Sequence, residues 1–255
     1  MNFKNLSGPF LPAFAILFIL LRGISYLFSS FDWTSVMLMT CMLVVAGTSL
    51  AWSLIHKVFL GRSLREVGFG FPDWRAVIIA TVLGALMVVF IPIYAIATRA
   101  NIHLQAKWLW LALGIFAGVG VAEETLFRGF VFNFLRRGRS FWQAASLSML
   151  FFGAMHLLLL LWLPTPVAIA AILLSIISAY PTAYLFEKGN NTIWPSAILH
   201  SAALATNLFA IPEEITVTFS LMWIGVVLVF LILVFLAGWL FLRPGFEGNI
   251  RATSV

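Results

Sequence analysis

Ala122-Glu123-Glu124-Thr125-Leu126-Phe127-Arg128-Gly129 sets two adjacent carboxylates and an arginine inside a run that is otherwise apolar from about Trp108 to Phe134. A charge at the centre of a bilayer helix costs roughly 2.5–3.5 kcal/mol on insertion scales, so ionisable residues at that depth are rare and usually functional. On an α-helix Glu124 and Arg128 stand at i and i+4 on one face. The acid lies toward the N-terminus, which is the better orientation for an ion pair. Glu123 is turned about 100° from Glu124 and lacks that partner. The spacing therefore predicts a structural Glu124 and a Glu123 free for chemistry.

The chain around this stretch is 62% hydrophobic and only 9% charged, whereas a soluble domain averages about 25% charged residues. That balance predicts an all-α, polytopic transmembrane bundle. About eight apolar segments approach the roughly 20 residues a spanning helix needs. They run approximately over 9–30, 34–56, 77–98, 107–134, 142–162, 165–186, 194–210 and 218–242, the seventh short and the fourth long. The apolar stretch after Lys4 runs on to about Phe28 with no small-residue cleavage site, which predicts a retained first span and not a cleaved signal peptide. Cys41 is the single cysteine, so no intrachain disulfide forms. No repeat or low-complexity tract divides the chain, and residues 1–255 read as one transmembrane domain.

The net charge of +6 reports topology and not nucleic-acid binding, because the basic residues sort by alternate loops. One side collects Lys4, Lys57, Arg62, Arg65, Arg75, Arg136, Arg137, Arg139, Lys188, Arg243 and Arg251, and the other only Arg99 and Lys107. Arg22 and Arg128 lie within spans. The positive-inside rule then puts both termini in the cytoplasm. The turn Arg136-Arg137-Gly138-Arg139 marks that orientation, with contact to anionic lipid headgroups as its second reading. Gly114 and Gly118 form a small-xxx-small step, which predicts close helix packing.

Of the four histidines, His56 and His103 sit at a span end and in a polar loop and read as solvated or interfacial. His156 and His200 lie inside apolar spans and must face a polar interior or a partner. Together with Glu123 they support three kinds of chemistry. They can activate water and stabilise an oxyanion. They can bind catalytic zinc as a His-His-Glu set. They can also relay protons in a transporter. No Gly-x-Ser-x-Gly, His-Glu-x-x-His or P-loop motif is present. Spacing alone leaves the three open.

The order Glu123-Glu124-x-x-x-Arg128, Phe152-x-x-x-His156 and His200 resembles the type II CAAX prenyl protease and bacteriocin-processing (CPBP or ABI) family of glutamate-dependent intramembrane endopeptidases. Phe127-Arg128-Gly129, the run Asn191–His200 and Leu64-Arg65-Glu66-Val67-Gly68-Phe69 extend the likeness, which covers about residues 64–210 as a catalytic core. The resemblance implies that Glu123 and His156 activate the attacking water. It implies that His200 stabilises the oxyanion and that Glu124 and Arg128 hold the site in shape. The family commonly carries an asparagine about four residues after the last histidine. That position is Leu204, and Asn207, at i+7 and on roughly the same helical face, is the candidate replacement; its other reading is a polar residue near the outer boundary. The resemblance favours a metal-free mechanism, with zinc held by Glu123, His156 and His200 as the alternative. The short loops fit a prokaryotic member of an inner or plasma membrane, acting on a membrane-anchored protein or peptide. Two other classes stand beside this one: a catalytically silent immunity or scaffold member, and a proton-coupled transporter, which an internal repeat would favour.

Overall fold

A backbone in lipid has no water to bond with, so apolar segments satisfy their own N–H and C=O groups by coiling. In the computed structural model, which describes residues 8–28 and 30–242, they do so as a helical membrane bundle. Lys4, Arg243 and Arg251, which count toward the expected orientation, lie outside the described residues. Helix α1 is Phe10–Leu27 and α2 is Trp33–His56. The Asp32 carboxylate accepts the Ser35 N–H at the start of α2 and the Trp110 indole N–H at 2.8 Å. A short α3, Leu60–Glu66, lies in the linker that reads from the sequence only as polar. Helix α4 is Trp74–Thr98, and strand β1 is His103–Leu104. The continuous run Trp108–Arg136 is α5. A capping box between Ser140 and Gln143 starts α6, Phe141–His156, which runs into a 3-10 turn over Leu157–Leu161. Then follow α7 (Thr165–Lys188), α8 (Trp194–Ala203), β2 (Phe209–Ala210) and α9 (Glu213–Phe241).

Six of these runs, α2, α4, α5, α6 with its 3-10 turn, α7 and α9, are long and apolar enough to cross a membrane. The expected first and seventh spans are shorter helices, 18 and 10 residues long. The seventh segment nevertheless runs from one end of the bundle to the other. At its start the Ile193 N–H bonds to the Gly68 carbonyl, before α4. At its finish the Gln105 N–H bonds to Leu208, and β2 pairs antiparallel with β1, after α4. Its helix ends at Ala203, and a 3-10 turn (Ala205–Leu208) and β2 complete the crossing. The helix that the sequence predicts over 194–210 is therefore replaced by helix, turn and strand.

Two apolar clusters make the core. One joins Phe10, Leu17 and Leu21 of α1 and Val44 and Trp52 of α2 to α5 and to Phe152 of α6. The other joins α4 to α9 and to Leu199 of α8. Helix α7 contributes to both, through Phe186 to the first and Leu185 to the second. The outer surface stays apolar, with Ile19, Leu54, Ile93, Leu150, Leu173 and Ile232 exposed, as a lipid-facing surface requires.

The helix that carries the acidic pair departs from its expected winding. Only the ends of α5, Trp108–Ile115 and Asn133–Arg136, are α-helical. Phe116–Glu123 and Thr125–Phe132 are π-helical. Such i→i+5 winding is rare, and it occurs frequently at functional sites.

Candidate active site

Glu124 and Arg128 are fully buried, at 0% and 1% exposure, in the seam between the two apolar clusters. Arg128 Nε lies 3.2 Å from Glu124 Oε2, so the two pair across one turn even in the wider winding. The guanidinium is seated 4.4 Å above the Phe152 ring and donates to the Thr182 hydroxyl of α7. That hydroxyl in turn donates to the Ser178 carbonyl, which leaves its lone pairs facing the arginine. The other Glu124 oxygen receives His200 Nδ1 at 2.7 Å. One carboxylate thereby joins α5 to α8, and Arg128 extends the assembly to α7.

The approach of α8 depends on Gly120. A Cβ there would meet Ser201 and, at 3.0 Å, the Ala197 carbonyl of α8. Gly114 and Gly118 give α2 the same access, facing Thr34 and Met37, in line with their small-xxx-small spacing. His156 lies on α6, where its Nδ1 is 2.8 Å from the Phe152 carbonyl. A carbonyl can only accept, so Nδ1 carries the proton and Nε2 of the neutral ring keeps its lone pair. Both histidine rings stand edge-on to Phe152, at centroid distances of 4.6 Å for His156 and 5.9 Å for His200.

Glu123 is also buried, at 5% exposure, and it is not without a partner. Arg22 of α1 places NH2 3.5 Å from Glu123 Oε1. No hydrogen bond or ion pair joins Glu123 to His156 or His200 among the described residues. The fold thus assembles Glu124, Arg128, His200 and Phe152 directly, with His156 beside the shared phenyl ring.

This constellation lies in the part of the chain that a family model recognises. Residues 105–206 match the model described as Type II CAAX prenyl endopeptidase Rce1-like. This segment is similar to the Rce1-like family. No curated protein and no solved structure matches the chain. The Rce1-like segment takes in α5 to α8, and with them Glu123, Glu124, Arg128, His156 and His200.

Asn207 lies just past the end of the Rce1-like match and away from the assembled groups. Because the α8 helix stops at Ala203, the i+7 spacing does not carry it onto the face of His200. It sits exposed in the 3-10 turn, donating to the Leu204 carbonyl, while its own carbonyl accepts from Gln105. As for a metal, no group of three His, Cys, Asp or Glu side chains is placed to hold one among the described residues.

The loop Leu64–Phe69, outside the Rce1-like match, fixes the basic ends of the helices that carry the site. Glu66 accepts the Trp52 indole N–H at 2.7 Å and the Arg62 Nε–H at 2.7 Å, and Arg137 stands 3.7 Å away. Burial, the largest single influence, pushes the Glu66 carboxyl up, but the Trp52, Arg62 and Arg137 partners together hold it below its usual range. The Glu66 carbonyl accepts the Asn133 amide of α5, and the Gly70 carbonyl accepts the Trp194 indole of α8. Gly68, at φ +107, makes the turn between these contacts. The arginines of the basic turn are likewise engaged, Arg136 with Glu187 at 2.8 Å and Arg137 with His56 at 2.9 Å.

Proposed function

We propose that this protein is an intramembrane endopeptidase that hydrolyses a peptide bond of a membrane-associated protein or peptide, using water activated by Glu123 and His156. The observation that carries the reading is the 2.7 Å contact of His200 with Glu124, which brings a histidine from α8 onto the motif helix at the level of the acidic pair. With Nδ1–H held by Phe152, His156 offers Nε2 to take a proton from water as that water attacks the scissile carbonyl. The Glu123 carboxylate shares that role. His200, its Nδ1–H held by the Glu124 carboxylate, has Nε2 left for the substrate. In its imidazolium form the ring donates its Nε2–H to the oxyanion. The proton taken from water returns to the leaving amine as the C–N bond breaks. The substrate is a membrane-anchored protein or peptide, and the setting is the inner or plasma membrane of a prokaryotic cell.

The test compares membrane peptide termini in cells carrying wild type, Glu123→Gln, His156→Ala or His200→Ala, each shown to be expressed and folded. New termini are expected only with wild type. On a substrate so identified, Glu123→Gln and His156→Ala are expected to lower the rate by about 10²–10⁴, the usual contribution of general-base catalysis. Activity that survives a zinc chelator agrees with the metal-free reading, and activity that needs added zinc overturns it. One observation favours a second reading: with Leu204 at the position of the family asparagine and Asn207 exposed, a catalytically silent scaffold or immunity role fits the same fold. That reading prevails if a phenotype persists in Glu123→Gln and no termini depend on it.

A further inference from the structure

Away from the acidic pair and its histidines, helices α6, α7 and α9 leave a groove of about 350 Å³ between them. Trp142 and Ser146 of α6, Ile177, Tyr180 and Pro181 of α7 and Phe235 of α9 line it. Trp142 and Ile177 are exposed, so the groove opens on the outer apolar surface. Its volume is within the range of small-molecule sites. It is too small for a helix, about 10 Å across with its side chains. What fits is a thin apolar chain.

The walls also offer a polar handle. Trp142 stacks on Phe235 at 6.4 Å and stands 5.9 Å from Tyr180, so aromatic rings frame the opening. The Ser146 and Tyr180 hydroxyls are 3.0 Å apart. One proton joins them, and the other has no acceptor among the described residues. Lipid supplies no water at this depth to take it.

The groove leads to a positive charge. Ser146 stands about 8 Å from the start of α6, and Tyr180 about 12 Å from the end of α7 at helical rise. Both distances are measured from the end of the bundle where the basic loops gather. Ile177, Tyr180, Tyr184 and Lys188 follow one another on one face of α7 at steps of three and four residues. Lys188 Nζ ends that stripe, 6.0 Å from the centre of the Tyr184 ring. Arg136 bonds both Glu187 and the Arg139 carbonyl, which neutralises the carboxylate beside Lys188 and brings Arg139 to the same end. Neither Lys188 nor Arg139 pairs with a carboxylate among the described residues.

We infer that the groove binds an anionic phospholipid of the leaflet on the basic side. Its acyl chain lies between α7 and α9 against Phe235. An ester carbonyl accepts the free hydroxyl proton of the Ser146–Tyr180 pair, and the phosphate sits at Lys188 and Arg139. The apolar walls select an acyl chain over a water-soluble anion, and the unpaired cations select an anionic head over a zwitterionic one. The site is separate from the hydrolytic groups and stands whether or not the protein cuts a peptide.

The test uses the full-length protein in detergent micelles with phosphatidylglycerol carrying a photoreactive diazirine in one acyl chain. Phosphatidylcholine with the same chains is the control, and mass spectrometry locates the adducts. Phosphatidylglycerol is expected to label the peptides of Trp142, Ile177 and Ile232 more heavily than those of Leu54 and Ile78, which are exposed near the same end of the bundle. Lys188→Met is expected to lower that labelling about fivefold, the usual strength of one basic side chain at an anionic surface. Lys188→Arg is expected to keep it, and phosphatidylcholine labelling is expected to be weaker and the same in all three proteins. Labelling no heavier in the groove than at Leu54 and Ile78 shows bulk lipid only and overturns the inference. So does equal labelling by the two lipids in wild type, or by phosphatidylglycerol in Lys188→Met and Lys188→Arg. An unlabelled groove in a particle holding two chains overturns it in favour of a second copy as the occupant.

Discussion

At the scale of single residues, Glu124 is the group on which the assembly turns. It is fully buried, and removing its charge would leave Arg128 as an unmatched cation in an apolar seam. Breaking a buried pair from one side costs about 3–5 kcal/mol. Glu124→Gln is therefore expected to lower stability by about that amount in a denaturation series in detergent, whereas Glu123→Gln, which leaves the half-exposed Arg22, is expected to cost clearly less. An equal loss for both would contradict the division of labour between the two carboxylates. That division was partly legible in the sequence. The four-residue spacing of Glu124 and Arg128 named the ion pair, because both ends lie on one helix. The contacts of Glu123 with Arg22 and of Glu124 with His200 were not legible. They join helices about 100 and 76 residues apart along the chain, and a single sequence carries no register between helices.

At the scale of elements, four glycines, Gly114, Gly118, Gly120 and Gly129, let other segments close on α5, and Gly129 is the tightest case. A Cβ there would strike the backbone carbonyl of Val67, in the loop that also holds Asn133 and Trp194. Backbone cannot rotate aside, so Gly129→Ala is expected to destabilise by about 1–3 kcal/mol, the usual range for overpacking. Gly225→Ala in α9, which meets nothing, is expected to be silent. Thermal denaturation of the two variants checks this. The same loop has an acid sensitivity. Because the folded Glu66 carboxyl is held below its usual range, its contribution is present above the unfolded value and is lost as pH falls through the folded one. Hydrogen-exchange protection over residues 60–69, taken relative to the intrinsic rate at each pH, is expected to fall on acidification, and Glu66→Gln is expected to remove that dependence. Sequence reading found the loop as a resemblance but not α3 inside it, since a seven-residue helix is too short to show a period. It also assumed α-helical winding for α5, and residue types alone do not distinguish the π form.

At the scale of the whole molecule, hydropathy was enough to place almost every element, because lipid permits little besides helices. It failed at 194–210, where the apolar run continues while the helix stops. The traversals that β1 and β2 mark predict that Arg65 and Asn101 face opposite sides of the membrane. In a Cys41→Ser background, Arg65→Cys and Asn101→Cys are expected to react with an impermeant thiol reagent from opposite faces of sealed vesicles, and labelling from the same face would overturn the topology. The broken seventh crossing has one more consequence. Irregular backbone persists at membrane depth only where it is buried in protein or lines a wet cavity. The Trp223 indole covers the carbonyl of Ala203, and Gln105 those of Asn207 and, at 3.5 Å, Phe209, yet Asn207 is exposed. That end of the crossing is therefore exposed, a few residues beyond His200 and on the side away from the basic loops. The hydrolytic reading requires a water molecule for every bond cut, and this exposed end is where that reading expects water to enter.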